Sequence, residues 1–200
     1  MAINFQYNKT SFQHLDKQLK VRKRALPTLK NKESALRSEV KRAKDNAAKL
    51  ETEFDQEWKR YTYLLKLWGE FDTSLLSVEN VVLSTKKIAG VLTPILEEVK
   101  FAIAPYNPFT APMWYADGIE ILRKIATIGI NRAVWIRKME LLEHARKKTT
   151  QKVNLYEKVQ IPGFEDAMKK IKRFLEDEEN LSKSAQKIVK TRQQEEEEQG

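Results

Sequence analysis

The sequence predicts a mainly α chain: two long terminal helices forming an antiparallel coiled coil, with a small mid-chain head containing a short β-hairpin. Three observations carry this. Apolar residues recur in alternating steps of three and four toward both ends of the chain, the pattern of a helix seam. The middle is different, rich in Val, Ile, Leu and Thr and broken by turn residues. Charged residues make up 32% while Gly and Pro number six each, a composition suited to long solvated helices rather than to a compact globule.

The first segment spans residues 1–68. Its series begins at Phe12 and runs Leu15, Leu19, Leu26, Leu29, Leu36, Val40, Ala43, Ala47, Leu50 and Phe54, with Arg22 and Glu33 in its two polar positions. A seven-residue repeat kept up this long marks a coiled-coil seam. After Phe54 come Trp58 and Tyr61, so an extra step of four intrudes, a stutter that changes the supercoil locally. Gly69 follows the seam where a helix stop is expected. A helix from Ser11 to Trp68 extends roughly 87 Å at 1.5 Å per residue. Such a seam must meet another long helix, from this chain or another.

The head spans residues 69–112. Val78 to Val99 has strand composition, Ala89-Gly90 suits a turn, and Pro94 disfavours a central strand. Asn107 to Pro112 reads as a loop into the second long helix, with Thr110 as its cap and Pro112 in its first turn.

The second helical segment spans residues 113–194. Ile121, Ile125, Ile128, Arg132, Trp135, Met139 and Leu142 keep the alternation, which continues through Arg146 and Thr149 to Val153 and Tyr156. The two helices can therefore fold back on each other with the head at one end. Beyond Tyr156 the apolar face is Phe164, Met168, Ile171 and Leu175, reached through Gln160 by two successive steps of four. The stripe shifts phase at Pro162-Gly163. Pro162 removes a helix hydrogen bond, so either a kink within one helix or a break that opens a new one fits. Trp58, Trp68 and Trp135 fall at seam positions and are expected in the core; Trp114, at the junction of head and helix, is the tryptophan expected to be exposed. Residues 195–200 are an acidic tail, expected to be solvated.

Chemistry is constrained by what is missing. There is no cysteine, no Gly-rich phosphate loop, no HExxH and no GxSxG; His14 and His144 stand apart from other ligand types. Carboxylate pairs such as Glu97-Glu98 and Glu178-Glu179 come without a pocket signal and read as exposed helix side chains. No catalytic, cofactor or metal residues are expected. The sequence also lacks a secretory leader pattern and an uninterrupted apolar run of membrane-spanning length, so it reads as soluble.

The net charge of +9 is concentrated. Residues 9–49 hold 13 Lys/Arg against 4 Asp/Glu, and the rest of the chain balances at 24 against 24. A basic stripe on the first helix seeks an acidic partner, whether nucleic acid, anionic lipid or protein, or else is a solvated face.

Two local sequences carry a family resemblance. LKVRKRALPTLKNKESAL, from Leu19 to Leu36, and Lys152-Val153-Asn154-Leu155 through Glu157 to Val159-Gln160-Ile161-Pro162 resemble the basic segment and the RVN…IP segment of the D subunits of rotary V/A-type ATPases. Lys172 to Glu179 is loosely similar to a third, acidic region of that family. The resemblance covers most of both long helices, and the head matches in position and size. Two departures stand out: Pro27, where a good helix former is usual and which is expected to break the first helix, and Gly163, where a bulkier residue is usual.

The resemblance implies a non-catalytic central rotor shaft, peripheral on the cytoplasmic face of the membrane. Its helices would insert into the A and B catalytic hexamer. Its head would bind the small F subunit of the stalk and rest on the membrane-side funnel subunit of C/d type. Neither nucleic acid nor direct membrane insertion is implied, and no cofactor. Lys20, Arg22, Lys23, Arg24, Lys41, Arg42 and Lys44 become the candidate hexamer-facing cations, each exposed pair being weak enough for a sliding bearing. At Pro162 and Gly163 the resemblance favours one long kinked helix. The alternative is a basic coiled-coil scaffold that binds nucleic acid or an anionic membrane surface, with steep salt dependence.

Overall fold

A computed structural model describes residues 3–198 apart from Pro108 and Thr110; the side chains of Leu65 and residues 195–198 are also outside the description. Helix α1 runs Lys9–Arg60, followed by a 3-10 turn and the short helix α2, Leu65–Trp68. Strands β1, Leu76–Ile88, and β2, Val91–Ile103, form one antiparallel hairpin. Helix α3, Tyr115–Asn154, leads through a π-helical turn, Leu155–Gln160, directly into α4, Ile161–Glu198. The chain divides into two compact units: residues 1–31 with 149–200, and residues 32–148.

In the first unit the start of α1 packs antiparallel against α4. Leu15 and Leu19 are buried with Phe164, Ala167 and Ile171, while Phe12, Met168 and Leu175 are half-buried against them. Numbers rise along one helix as they fall along the other, which fixes the antiparallel sense: Arg22 meets Gln160 and Lys30 meets Glu157. Asn8 caps α1, its Oδ1 accepting the Ser11 N–H at 2.7 Å. The segment before the cap turns back over the pair and adds Ile3 and Phe5 to the same apolar cluster.

Pro27 does not break α1, contrary to expectation; the helix carries it inside. Its ring is exposed while Leu26 and Leu29 beside it are half-buried, so packing on one face offsets the lost hydrogen bond on the other. At the Pro-Gly pair the chain stays helical. From Tyr156 through Gln160 to Phe164 the contacting residues use one residue more than the heptad allows, and the wider π turn takes up that extra residue. A non-helical break is absent, and the turn also spreads the backbone around Lys158, whose carbonyl the Pro162 ring would otherwise crowd.

In the second unit the rest of α1 pairs antiparallel with α3. Leu36 and Leu142 have no exposed surface, and with Ala43 they form a cluster covered by Ile88, Ala89 and Val91 of the hairpin tip. The strands of the expected hairpin are 13 residues each. Ala89 and Gly90 both take positive φ, 48° and 84°, the signature of a tight two-residue hairpin turn. Pro94 pairs with Thr85 without harm because each strand of a two-stranded sheet has a free edge. One bulge on each strand, leaving Glu79 and Glu97 unpaired, breaks the ladder.

A helix reaching Trp68 was expected, yet α1 ends at Arg60. At the stutter the inward position passes to Glu57, which is buried, and Trp58 turns out to 51% exposure, stacked on Phe54 at 6.4 Å. The aromatic and β-branched run Tyr61-Thr62-Tyr63 favours a tight turn over more α-helix. Trp114, expected to be exposed, is half-buried: its ring meets Trp68, Phe71 and Tyr115 at 5.2–5.7 Å. This aromatic cluster surrounds Phe71, Leu75 and Ile119. Gly118 makes room for it, since a Cβ there would lie 2.9 Å from Trp114 Cζ3. Thr110, expected as the cap of α3, lies outside the described residues. Helix α4 continues through Glu195–Glu198 of the run expected as a tail, while Gln199 and Gly200 lie outside the description.

Candidate interaction surfaces

The residues expected at the seam divide by depth. Leu15, Leu19, Leu36, Ile125, Ile128, Leu142 and Val153 are buried; Leu26, Leu29, Val40, Leu50, Phe54, Ile121, Trp135 and Met139 are half-buried. A two-helix seam leaves much of its apolar surface at the rim, and full burial is found mainly where a third element covers it.

The seven basic candidates on α1 have different employments. Arg22 is turned into the helix pair: its Nε donates to Gln160 Oε1 at 2.6 Å, Nη1 donates to Gln18, and the guanidinium lies over the Phe164 and Tyr156 rings. It sits at a seam position, so its charge faces the partner helix and not the outside. Lys23 reaches across to Glu165 at 2.6 Å, Lys20 pairs with Asp16 at 2.7 Å, and Arg42 sits 4.0 Å from Glu39. Arg24, Lys41 and Lys44 are exposed and have no ion pair among the described residues. Lys41 and Arg42 line a shallow outer groove of α1 with Arg37 and Lys49, against one carboxylate, Asp45. Its surplus of positive charge suits an acidic or polar partner surface.

Several other charged residues are structural. Glu57 is held by Lys124 at 3.1 Å and Arg60 at 3.0 Å, and Arg132 meets Glu51 at 2.6 Å. Lys138 is only 8% exposed, its Nζ 4.3 Å from the centre of the Trp135 ring. Burial holds its pKa below the ordinary lysine value; nearby Arg42 and Lys86 push the same way and Glu39 opposes them. The stutter after Phe54 was the signal for Glu57, since a shifted phase must bring another residue inward. The alternation Ile3, Phe5, Tyr7 could have flagged an extended apolar segment before α1.

Apolar surface is also left open among the described residues. A cavity of about 210 Å³ at the end of α1 is lined by Trp58, Tyr61, Trp68, Phe71, Leu122 and Ile125, with Thr62 and Thr73 at its edge. The far part of α4 carries Leu181 and Ile188, seven residues apart and both exposed, with Val189 beside them. Among the described residues no group of His, Asp and Glu could hold a metal ion, and no helix is long and apolar enough to cross a membrane. His14 and His144 are both exposed.

Comparison with known proteins gives one consistent result. The family of ATP synthase D subunits matches residues 11–191. The V-type ATP synthase D subunit of Borreliella burgdorferi is 32% identical over 178 residues, covering 87% of this chain and 87% of that protein. The protein of the same description from Chlamydia pneumoniae is 29% identical over 186 residues, covering 88% and 87%. That from Chlamydia muridarum is 26% identical over 195 residues, covering 95% and 96%.

Proposed function

The chain belongs to the family of ATP synthase D subunits, and from that premise we propose that it is a central-stalk rotor subunit of a V/A-type ATPase. In this reading it transmits torque between the A/B catalytic hexamer, which hydrolyses or makes ATP, and the ion-translocating membrane ring. It contributes no catalytic group. The head binds the small F subunit of the stalk and rests on the funnel subunit of C/d type, and the whole lies peripherally on the cytoplasmic face.

The observation that supports this most directly is the sorting of cations on α1. Arg22 and Lys23 hold the helix pair together, while Arg24, Lys41 and Lys44 are left facing outward. A shaft needs stiffness from contacts within itself and only weak contacts with what it turns against. Exposed charge contacts are worth about 0–1 kcal/mol each, enough to centre a helix without arresting it in one orientation. Coulombic contacts also act over about 10 Å at moderate salt, so they tolerate sliding.

Coexpression with the A, B and F subunits tests the reading. The expected result is a stoichiometric complex with ATPase activity; failure to bind any of them overturns it. In that complex, Arg24→Glu, Lys41→Glu and Lys44→Glu together are expected to lower coupled turnover at low salt while leaving the helical content of the isolated chain unchanged. Unchanged assembly and turnover would remove the bearing role.

A further inference from the structure

In the first unit both helices carry their backbone defects at one level. Pro27 in α1 has no N–H to donate, and the facing helix has the π turn followed by Pro162 and Gly163. Three polar links bracket these defects: Arg22 with Gln160, Lys23 with Glu165 and Lys30 with Glu157, each at 2.6 Å. Apolar anchoring is thin here. No residue from 20 to 31, and none from 154 to 163, is fully buried. A stretch with missing or widened backbone hydrogen bonds and no buried apolar anchor opens more easily than its surroundings.

The segment before α1 runs beside α4 and meets this level at its edge, at Gly163. The Tyr7 ring rests on Phe174 at 5.0 Å, Phe5 packs on Tyr7 at 5.4 Å, and Ile3 joins Phe164 and Ile161 in the apolar cluster. Ile3 Cδ1 stands 3.0 Å from where a Cβ on Gly163 would be. Between Tyr7 and Ile3 the chain therefore runs back along α4 from Phe174 to Gly163. Four extended residues reach about 13 Å, close to the roughly 16 Å of helix between those two contacts.

We propose that Ile3–Tyr7 is a splint for a soft joint. The joint is the level of Pro27, the π turn and Pro162; the splint closes it by seating Ile3 in the notch that Gly163 leaves open. The stiffness of this helix pair is then set by a short segment that can be released without unfolding either helix. Gly163 is kept free of a side chain because that notch must stay empty for Ile3.

The sign of one substitution separates this from ordinary helix behaviour. Replacing a helical glycine by alanine normally strengthens the helix. Here a Cβ at 163 would crowd Ile3 Cδ1 at 3.0 Å, so under the proposal Gly163→Ala displaces Ile3 and loosens the joint. Hydrogen exchange read by mass spectrometry on the full chain tests this without reference to any assembly, so its failure is separate from failure of the rotor reading. Gly163→Ala and Ile3→Ala are each expected to speed exchange about tenfold in residues 153–164 and 20–31. The double variant should be no faster than either single one, because both remove the same contact. Pro162→Ala, which leaves the splint in place, should slow exchange in 153–164. Slower or unchanged exchange in Gly163→Ala, or additive effects in the double variant, overturns the proposal.

Discussion

The two units solve the same problem, pairing a stretch of α1 with a later antiparallel helix, by different means. In the second, the hairpin tip closes over Leu36 and Leu142, and an aromatic cluster closes over Phe71, Leu75 and Ile119. In the first, Ile3 and Phe5 close over Leu15, Leu19 and Ile171, and the rest of the pair is held by polar links at its rim. The seam residues with least exposure, Leu36 and Leu142 at 0% and Leu15 at 3%, all lie where a third element covers the helix pair. Burial depth along α1 therefore follows the covering elements rather than the heptad.

The sharpest way to break that comparison is to cut equal leucines from covered and uncovered seam. Leu142→Ala, at a site with no exposed surface, is expected to lose about 3–5 kcal/mol, because a cavity adds to the lost transfer energy. Leu26→Ala, at an uncovered half-buried site, should lose only about 1–2 kcal/mol. Urea melts followed by circular dichroism measure both, and equal losses would show that the cover is immaterial. A smaller effect is expected from Gly118→Ala. Its Cβ meets the ring of Trp114 at 2.9 Å, with Phe71 behind it, so overpacking should outweigh the better helix propensity and cost about 1–3 kcal/mol. A stabilised variant would mean that the cluster repacks freely.

The smallest effect belongs to the rim of the first unit. Lys30 and Glu157 are about half exposed, so a double-mutant cycle with Lys30→Ala and Glu157→Ala should give a coupling below about 1 kcal/mol. That coupling should shrink as salt is raised, since the Debye length falls to about 3 Å at 1 M. A salt-independent coupling would mark the link as part of a dry interface.

Much of this was legible before any coordinates. The three-four alternation from Phe12 to Phe54 and from Ile121 to Tyr156 placed both long helices, because the helical period projects one residue in three or four onto a single face. The turn at Ala89-Gly90 and the strand composition around it placed the hairpin. The tryptophans were less legible. Trp58 and Trp114 exchange the roles their spacing suggests, since exposure at the stutter depends on which neighbour turns inward and exposure at the junction depends on rings far away in sequence. The basic stripe was legible as charge but not as employment: Arg22 and Lys23 look like their neighbours in sequence, and only Gln160 and Glu165 across the pair distinguish them.

The sequence by itself determined the periods: that both end regions are helical, where the phase of the stripe changes, and that positive charge gathers on the first helix. Periodicity is a local property, and backbone geometry enforces it residue by residue. Only the tertiary structure decided how each irregularity is absorbed. Pro27 stays inside a helix because its unpaired face is solvated and its other face is packed. The extra residue before Pro162 becomes a π turn that keeps Gln160 opposite Arg22 and brings Phe164 into the core. Gly163 is filled by Ile3, about 160 residues away in sequence. These outcomes depend on what lies across the interface, and the local sequence does not contain that partner.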